Sequence, residues 1–111
     1  MRAIVKEPGR MPAVRNVSNE LRALQDIVGG YIETVTFSTD CVAICNEEGR
    51  LRGMAPNICF CGVDFVGPVI FVGVAGEEFT DLSQEQAAFL IRELTKMEEQ
   101  ARREWNHENC T

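Results

Sequence analysis

Four thiols in the pattern Cys41-x3-Cys45…Cys59-x-Cys61 are the residues of this chain whose type could most directly do chemistry. Thiolates are the preferred ligands of structural zinc. The spacing weighs against it. On a regular strand Cys41 and Cys45 lie about 13 Å apart at roughly 3.3 Å per residue. Two sulfurs on one tetrahedral zinc must lie within about 4 Å, given Zn–S bonds near 2.3 Å. The usual solution is a C-x2-C knuckle, and the sequence has none. Cysteine also packs as a small buried hydrophobe. The expectation is packed, unbridged thiols, with no metal and no cofactor.

Nucleophile–base chemistry has few candidates. His107 is the one histidine, and it falls in a tail, residues 106–111, expected to fray. Ser18 and Ser83 read as helix caps and Ser38 sits in a turn, so no serine–histidine arrangement suggests itself. Glu47-Glu48 could supply a carboxylate base, though adjacent glutamates in a turn are usually just solvated. Arg50 and Arg52 are more suggestive. Two residues apart on a strand they would point the same way, and paired guanidinium groups can clamp a phosphate. Gly29-Gly30 does not read as a phosphate loop, because it follows a helix instead of preceding one.

The bulk properties bound these readings. A chain of 111 residues is one domain, with enough surface to bury for a single core. A formal charge of −6 and a pI near 4.8 argue against a partner bound through a nucleic-acid backbone. Lys6 and Lys96 are the two lysines; the other nine of the eleven basic residues are arginines, which leaves room for a small anionic ligand. No charged-then-apolar leader opens the chain, and the apolar run Val69–Ala75 is too short to span a bilayer. With five cysteines, an odd number, this predicts a soluble cytoplasmic protein in a reducing compartment.

The elements that would position these residues follow from periodicity. Arg2–Lys6 alternates as a first strand, and Glu7–Pro12 is a loop. Ser18 caps a short helix with Leu21, Leu24 and Ile27-Val28 on one face, ended by Gly29-Gly30. Tyr31–Phe37 reads as a strand with Tyr31, Glu33, Val35 and Phe37 on one side. Cys41–Cys45 is apolar on both sides, Val42 and Ile44 against Cys41, Ala43 and Cys45. Asn46–Gly49 has the composition of a type I turn with Gly49 left-handed, so Arg50–Arg52 should return antiparallel. Met54–Gly67 reads as irregular. Val69–Val74 is a central strand. Leu82-Ser83-x-x-Gln86 is a capping-box pattern opening a long amphipathic helix to about Trp105, with Ala87, Leu90-Ile91, Leu94, Met97 and Ala101 on its apolar stripe. Its Glu, Lys and Arg residues interleave as on a solvated face.

These elements predict a single α+β domain over residues 1–111. Its sheet is mixed but mainly antiparallel, of about five strands, with two helices packed on one face. Two strands apolar on both sides need a second cover. That cover is either the Met54–Gly67 segment or a partner, a homodimer included.

Several segments together resemble a known family. They are Arg2–Val5, the helix end Val28-Gly29-Gly30-Tyr31-Ile32-Glu33, the turn Cys45-Asn46-Glu47-Glu48-Gly49, and Pro56-Asn57. They are similar to a domain-of-unknown-function family of small proteins from bacteriophages, mobile elements and Gram-positive bacteria, designated family 3846. The likeness spans about residues 1–80; Ile58–Asp64 and the long last helix depart from or extend it. It carries no catalytic residue over. It implies a phage or mobile-element context and an accessory role against host proteins or signals.

The leading expectation is a non-enzymatic binding module with a protein partner, no nucleic acid and no membrane. Its surface would be Tyr31, Glu33, Asn46, Glu47, Arg50, Arg52 and Asn57, an aromatic anchor among arginines and polar groups. The rival is a binder of a small anionic, nucleotide-like ligand, or a minimal enzyme, using the Arg50/Arg52 region. The same residues would also suit hairpin turns and edge charges that keep a sheet from pairing.

Overall fold

The computed structural model describes residues 1–109, and the side chains of residues 1–104. The chain runs β1 (Arg2–Lys6), β2 (Ala13–Asn16), α1 (Leu21–Val28), β3 (Ile32–Ser38), β4 (Cys41–Asn46), β5 (Pro56–Phe60), β6 (Val63–Val66), β7 (Val69–Ala75), β8 (Glu78–Thr80) and α2 (Gln84–Asn109). The main sheet has six strands, in the order β2-β1-β7-β4-β3 with β8 beside the end of β7; β5 and β6 form a separate hairpin. Every pairing is antiparallel. The fold is thus α+β as expected, but with more than five strands and no parallel pair.

The two central strands explain the layers. All six residues of β4 are buried, and so are the first five of β7. Val42, Ile44, Ile70 and Val72 pack with Ala3, Val5, Leu24 and Val28 beneath α1. Cys41, Ala43, Cys45, Val69 and Phe71 pack on the other side with Leu90 and Leu94 of α2 and with Ile58, Phe60 and Phe65 of the β5–β6 hairpin. The helices therefore lie on opposite faces, not on one. A sheet apolar on both sides must be covered on both, and the eight residues of α1 reach only about 12 Å. The Met54–Gly67 segment does contribute cover, as β-structure and not as an irregular loop.

Local signals account for the element ends. Gly29 takes the left-handed conformation (φ 83°) and its N–H closes on Gln25 O at 2.8 Å, a helix C-cap. Ser83 and Gln86 make the reciprocal capping box: Ser83 N–H donates to Gln86 Oε1 at 2.8 Å and Gln86 N–H to Ser83 Oγ at 3.0 Å. The cap of α1 is Glu20, without a side-chain bond, and Ser18 Oγ instead accepts from Glu20 N–H. Helix α2 continues to Asn109, past the end expected at Trp105, because nothing after Trp105 breaks a helix even though the apolar stripe has ended. Of the tail expected to fray, 106–109 form the last turn of α2; residues 110–111, Cys110 among them, lie outside the described residues, as does the side chain of His107. No helix is long and apolar enough to cross a membrane among the described residues.

Candidate functional site

The segment after β4 is a coil of turns from Glu47 to Gly53, not a hairpin with a returning strand. Successive N–H groups bond back along it: Gly49 to Asn46 O, Arg52 to Glu48 O, Gly53 to Arg50 O and Met54 to Gly49 O, at 3.0–3.3 Å. The left-handed residue is Gly53 (φ 67°), not Gly49. Asn46 explains the departure. It is only 5% exposed, its Oδ1 accepts from Glu48 N–H at 2.7 Å, and its Nδ2 donates to Val28 O at 3.1 Å. The first bond makes an Asx turn, and the second satisfies an orphan carbonyl at the end of α1. Arg52 does the same for the next carbonyl, its Nη1 donating to Gly29 O at 3.1 Å, while Nε lies 3.6 Å from Glu48. A cation at a helix C-terminus also complements the helix dipole.

Arg50 goes elsewhere. Its Nη2 donates to Asp64 O on β6 at 2.8 Å. The two arginines therefore do not point the same way, because no strand imposes that alternation. One reaches α1 on one face of the sheet and the other reaches the hairpin on the other face. Glu33, Asn46, Glu47 and Arg50 do converge, around a cavity of about 230 Å3 that Leu51, Asp64 and Phe65 help to line. Asn57 borders a neighbouring depression that Arg50 and Asp64 also line. Its amide is engaged internally: Nδ2 donates to Lys6 O at 2.7 Å and Gly67 O at 2.8 Å, and Oδ1 accepts from Lys6 Nζ at 2.9 Å. Tyr31 is 65% exposed just past α1, and its carbonyl accepts from Glu47 N–H at 2.9 Å. Of the seven residues singled out from sequence, four share one cavity. Asn46, Arg52 and Asn57 also hold the backbone together.

Leu51 was missed. It is 89% exposed, at the tip of the turn between the two arginines. Read as a strand, Arg-Leu-Arg would have placed it on the inner face; the signal of its exposure lay in Asn46, whose side chain favours a turn over a hairpin.

Three of the thiols, Cys41, Cys45 and Cys59, sit where the thiolate is disfavoured. Burial, and then the charge of Asp40, push Cys41 up to about 11. Burial, and then Glu33, raise Cys45. A side-chain hydrogen bond with Asp64 is the largest cause that raises Cys59, with desolvation and the Asp64 charge adding to it. A reactive cysteine needs the opposite, an electropositive setting that favours thiolate. All four described cysteines are free thiols, Cys41 and Cys45 buried, Cys59 and Cys61 exposed. Among the described residues no three His, Cys, Asp or Glu groups come together as metal ligands would.

The family follows from a comparison of sequences. The family model described as Domain of unknown function (DUF3846) matches residues 1–97. The chain therefore belongs to that family of uncharacterised domains, and the match extends past β8 into α2. No curated protein and no solved structure matches the chain.

Proposed function

We propose that the chain is a non-enzymatic accessory module of a phage or mobile element that acts through a protein partner, gripped at the end of the sheet formed by Tyr31 and the Glu47–Gly53 turn. The observation that carries this reading is Leu51. A large apolar side chain stands almost wholly in solvent on a turn that is locked from behind by Asn46 and Arg52. Exposed apolar groups on a pre-organised backbone are what interfaces use as anchors, because little ordering remains to be done on binding. Exposed Tyr31, whose carbonyl accepts from Glu47 N–H at the start of the turn, and the remaining N–H groups of Arg50 add residue types enriched at interfaces. The anionic-ligand reading has less support, since Arg50 shares its cavity with Glu33 and Glu47, and Arg52 is turned away toward α1.

The test compares tagged wild type with Leu51→Asp and with the double variant Arg50→Glu/Arg52→Glu in capture from bacterial host lysate. The captured protein is identified, purified and titrated directly by calorimetry, with circular dichroism as the folding control. Leu51→Asp, at a side chain almost wholly in solvent, is expected to weaken direct binding at least about tenfold, or about 1.4 kcal/mol. An unchanged affinity of folded Leu51→Asp for the purified partner would overturn the reading.

A further inference from the structure

A second cavity, of about 490 Å3, lies at the opposite end of β3 from Tyr31, between the β3–β4 turn, the tip of the β5–β6 hairpin and the first half of α2. Its floor is rigid. Phe37 and Phe60 line it and meet edge to face with ring centroids 5.1 Å apart, and both are backed edge to face by buried Phe71, at 5.9 and 5.5 Å. Phe89 forms one lip and is 48% exposed, an aromatic residue that stands off the apolar stripe of α2. With Gln86 and Glu93 it flanks Leu90 and Met97 of that stripe at three- and four-residue spacing, and all five line the cavity. Leu90 and Met97 are accounted for by core packing, and exposed Phe89 between Gln86 and Glu93 is the part of this face that core packing leaves unexplained.

The charged residues that line the cavity have one sign. Asp40 and Glu93 line the cavity and no lysine or arginine does. Asp40 is oriented by Ser38, whose Oγ–H donates to Oδ1 at 2.9 Å. Two bases lie just outside: exposed Lys96 forms a long ion pair with Glu93, Nζ to Oε1 3.8 Å, beyond hydrogen-bond reach, and Arg92 stacks on Phe89 with its guanidinium carbon 5.9 Å from the ring centroid. The thiol of Cys41, on the cavity wall, feels the Asp40 charge.

We propose that this cavity binds a small molecule with an aromatic or branched apolar body and one protonated amine. The volume falls in the range of roughly 300–1,000 Å3 usual for such sites, which are apolar pockets with a few placed polar groups. The phenylalanine floor takes the body. The amine lies between Asp40 and Glu93, each with carboxylate oxygens left to accept from it. An anion of the same shape meets two like charges beside a low-dielectric wall and is rejected.

Three probes with one naphthalene body separate charge from shape: 2-(2-naphthyl)ethylamine, 3-(2-naphthyl)propanoate and 2-ethylnaphthalene, each titrated into the 15N-labelled full chain and followed by NMR. The amine is expected to shift the signals of Phe37, Cys61 and Phe89 and to bind at least about tenfold tighter than the carboxylate. Asp40→Asn with Glu93→Gln should remove that preference and leave the neutral probe unchanged, while Phe89→Ala should weaken amine and neutral probe alike. Equal affinity for amine and carboxylate, shifts confined to another surface, or no binding up to the solubility limit would each overturn the proposal. So would a concentration-dependent dimer in sedimentation that protects Phe89, since the occupant would then be a second copy. These outcomes do not depend on Leu51 or on a protein partner.

Discussion

Lys6 Nζ and Glu98 Oε1 stand 2.9 Å apart with the Lys6 side chain wholly sealed from solvent, tying the last residue of β1 to α2. The ammonium has three protons and three acceptors: Glu98 Oε1, Asn57 Oδ1 and Glu7 O, all at 2.9 Å. Glu98 Oε2 in turn accepts from Arg102 Nε at 3.2 Å, and Arg102 Nη2 donates to Gly9 O at 3.0 Å. One network thus joins β1, the loop after it, the start of the β5–β6 hairpin and α2. A buried pair of this kind adds little net stability over apolar residues of the same size, but breaking it leaves a charge unpaired in the interior.

Glu98→Ala is therefore expected to destabilise the fold by about 3–5 kcal/mol, read from urea midpoints. Lys6→Met with Glu98→Leu should recover most of that loss, because neither charge then remains. A cost under about 1 kcal/mol for Glu98→Ala would show that Lys6 finds another outlet to solvent.

The turn at Glu47–Gly53 separates two reasons for glycine. Gly53 needs its left-handed backbone, and a Cβ there would touch nothing within 4 Å. Gly49 has ordinary backbone, but a Cβ would meet Val66 Cγ2 at 2.9 Å. Gly53→Ala should cost about 1–2 kcal/mol through backbone strain alone. Gly49→Ala should cost about 1–3 kcal/mol through crowding. Adding Val66→Ala should relieve the second loss and not the first. A double-mutant cycle in denaturant measures this, and equal coupling of Val66 to both positions would contradict it.

Much of the scaffold was legible in the residues. The alternation of Cys41, Ala43 and Cys45 with Val42 and Ile44 divides between the two cores as its pattern implies. The Ser83/Gln86 box and the Gly29 cap needed only local chemistry. The misreadings have long-range causes. Asn46 and Arg52 bond to carbonyls 18 and 23 residues away, at the end of α1, and no local pattern reports that. Pro56, Gly62 and Gly67 read as breakers of one irregular segment, whereas they bound two short strands whose apolar residues pack against the sheet and α2. Strands β2 and β8 are only four and three residues long, too short for a clear alternation, and their place comes from the neighbours, β1 and β7, that they complete. Of the surface, the acidic and arginine residues were legible as types. That Arg50 and Arg52 part, and that Leu51 and Phe89 stand outside, depended on the tertiary fold.

The thiols supply a prediction in pH. Cys41 rises from 9.0 to about 11 in the fold, and Cys45 rises too. A thiol whose folded pKa lies above its unfolded value favours the native state only through its neutral form. Below pH 9 both states keep the proton and this contribution is flat. Above it the unfolded chain ionises first, so stability falls with pH until about 11, where the native thiol ionises as well. Urea midpoints from pH 8 to 11 should decline, and Cys41→Ala should flatten the decline. Reactivity follows the same logic. In a Cys110→Ser background at pH 8, a thiol reagent should label Cys59 and Cys61 in the native state, and Cys41 and Cys45 only as fast as the fold opens. Asp64→Asn should speed labelling of Cys59, because it removes the carboxylate that holds the thiol's proton. Cys41 labelling at the rate of an exposed thiol would contradict the burial that sets its pKa, and an Asp64→Asn variant with unchanged Cys59 kinetics would show that Asp64 does not hold that proton.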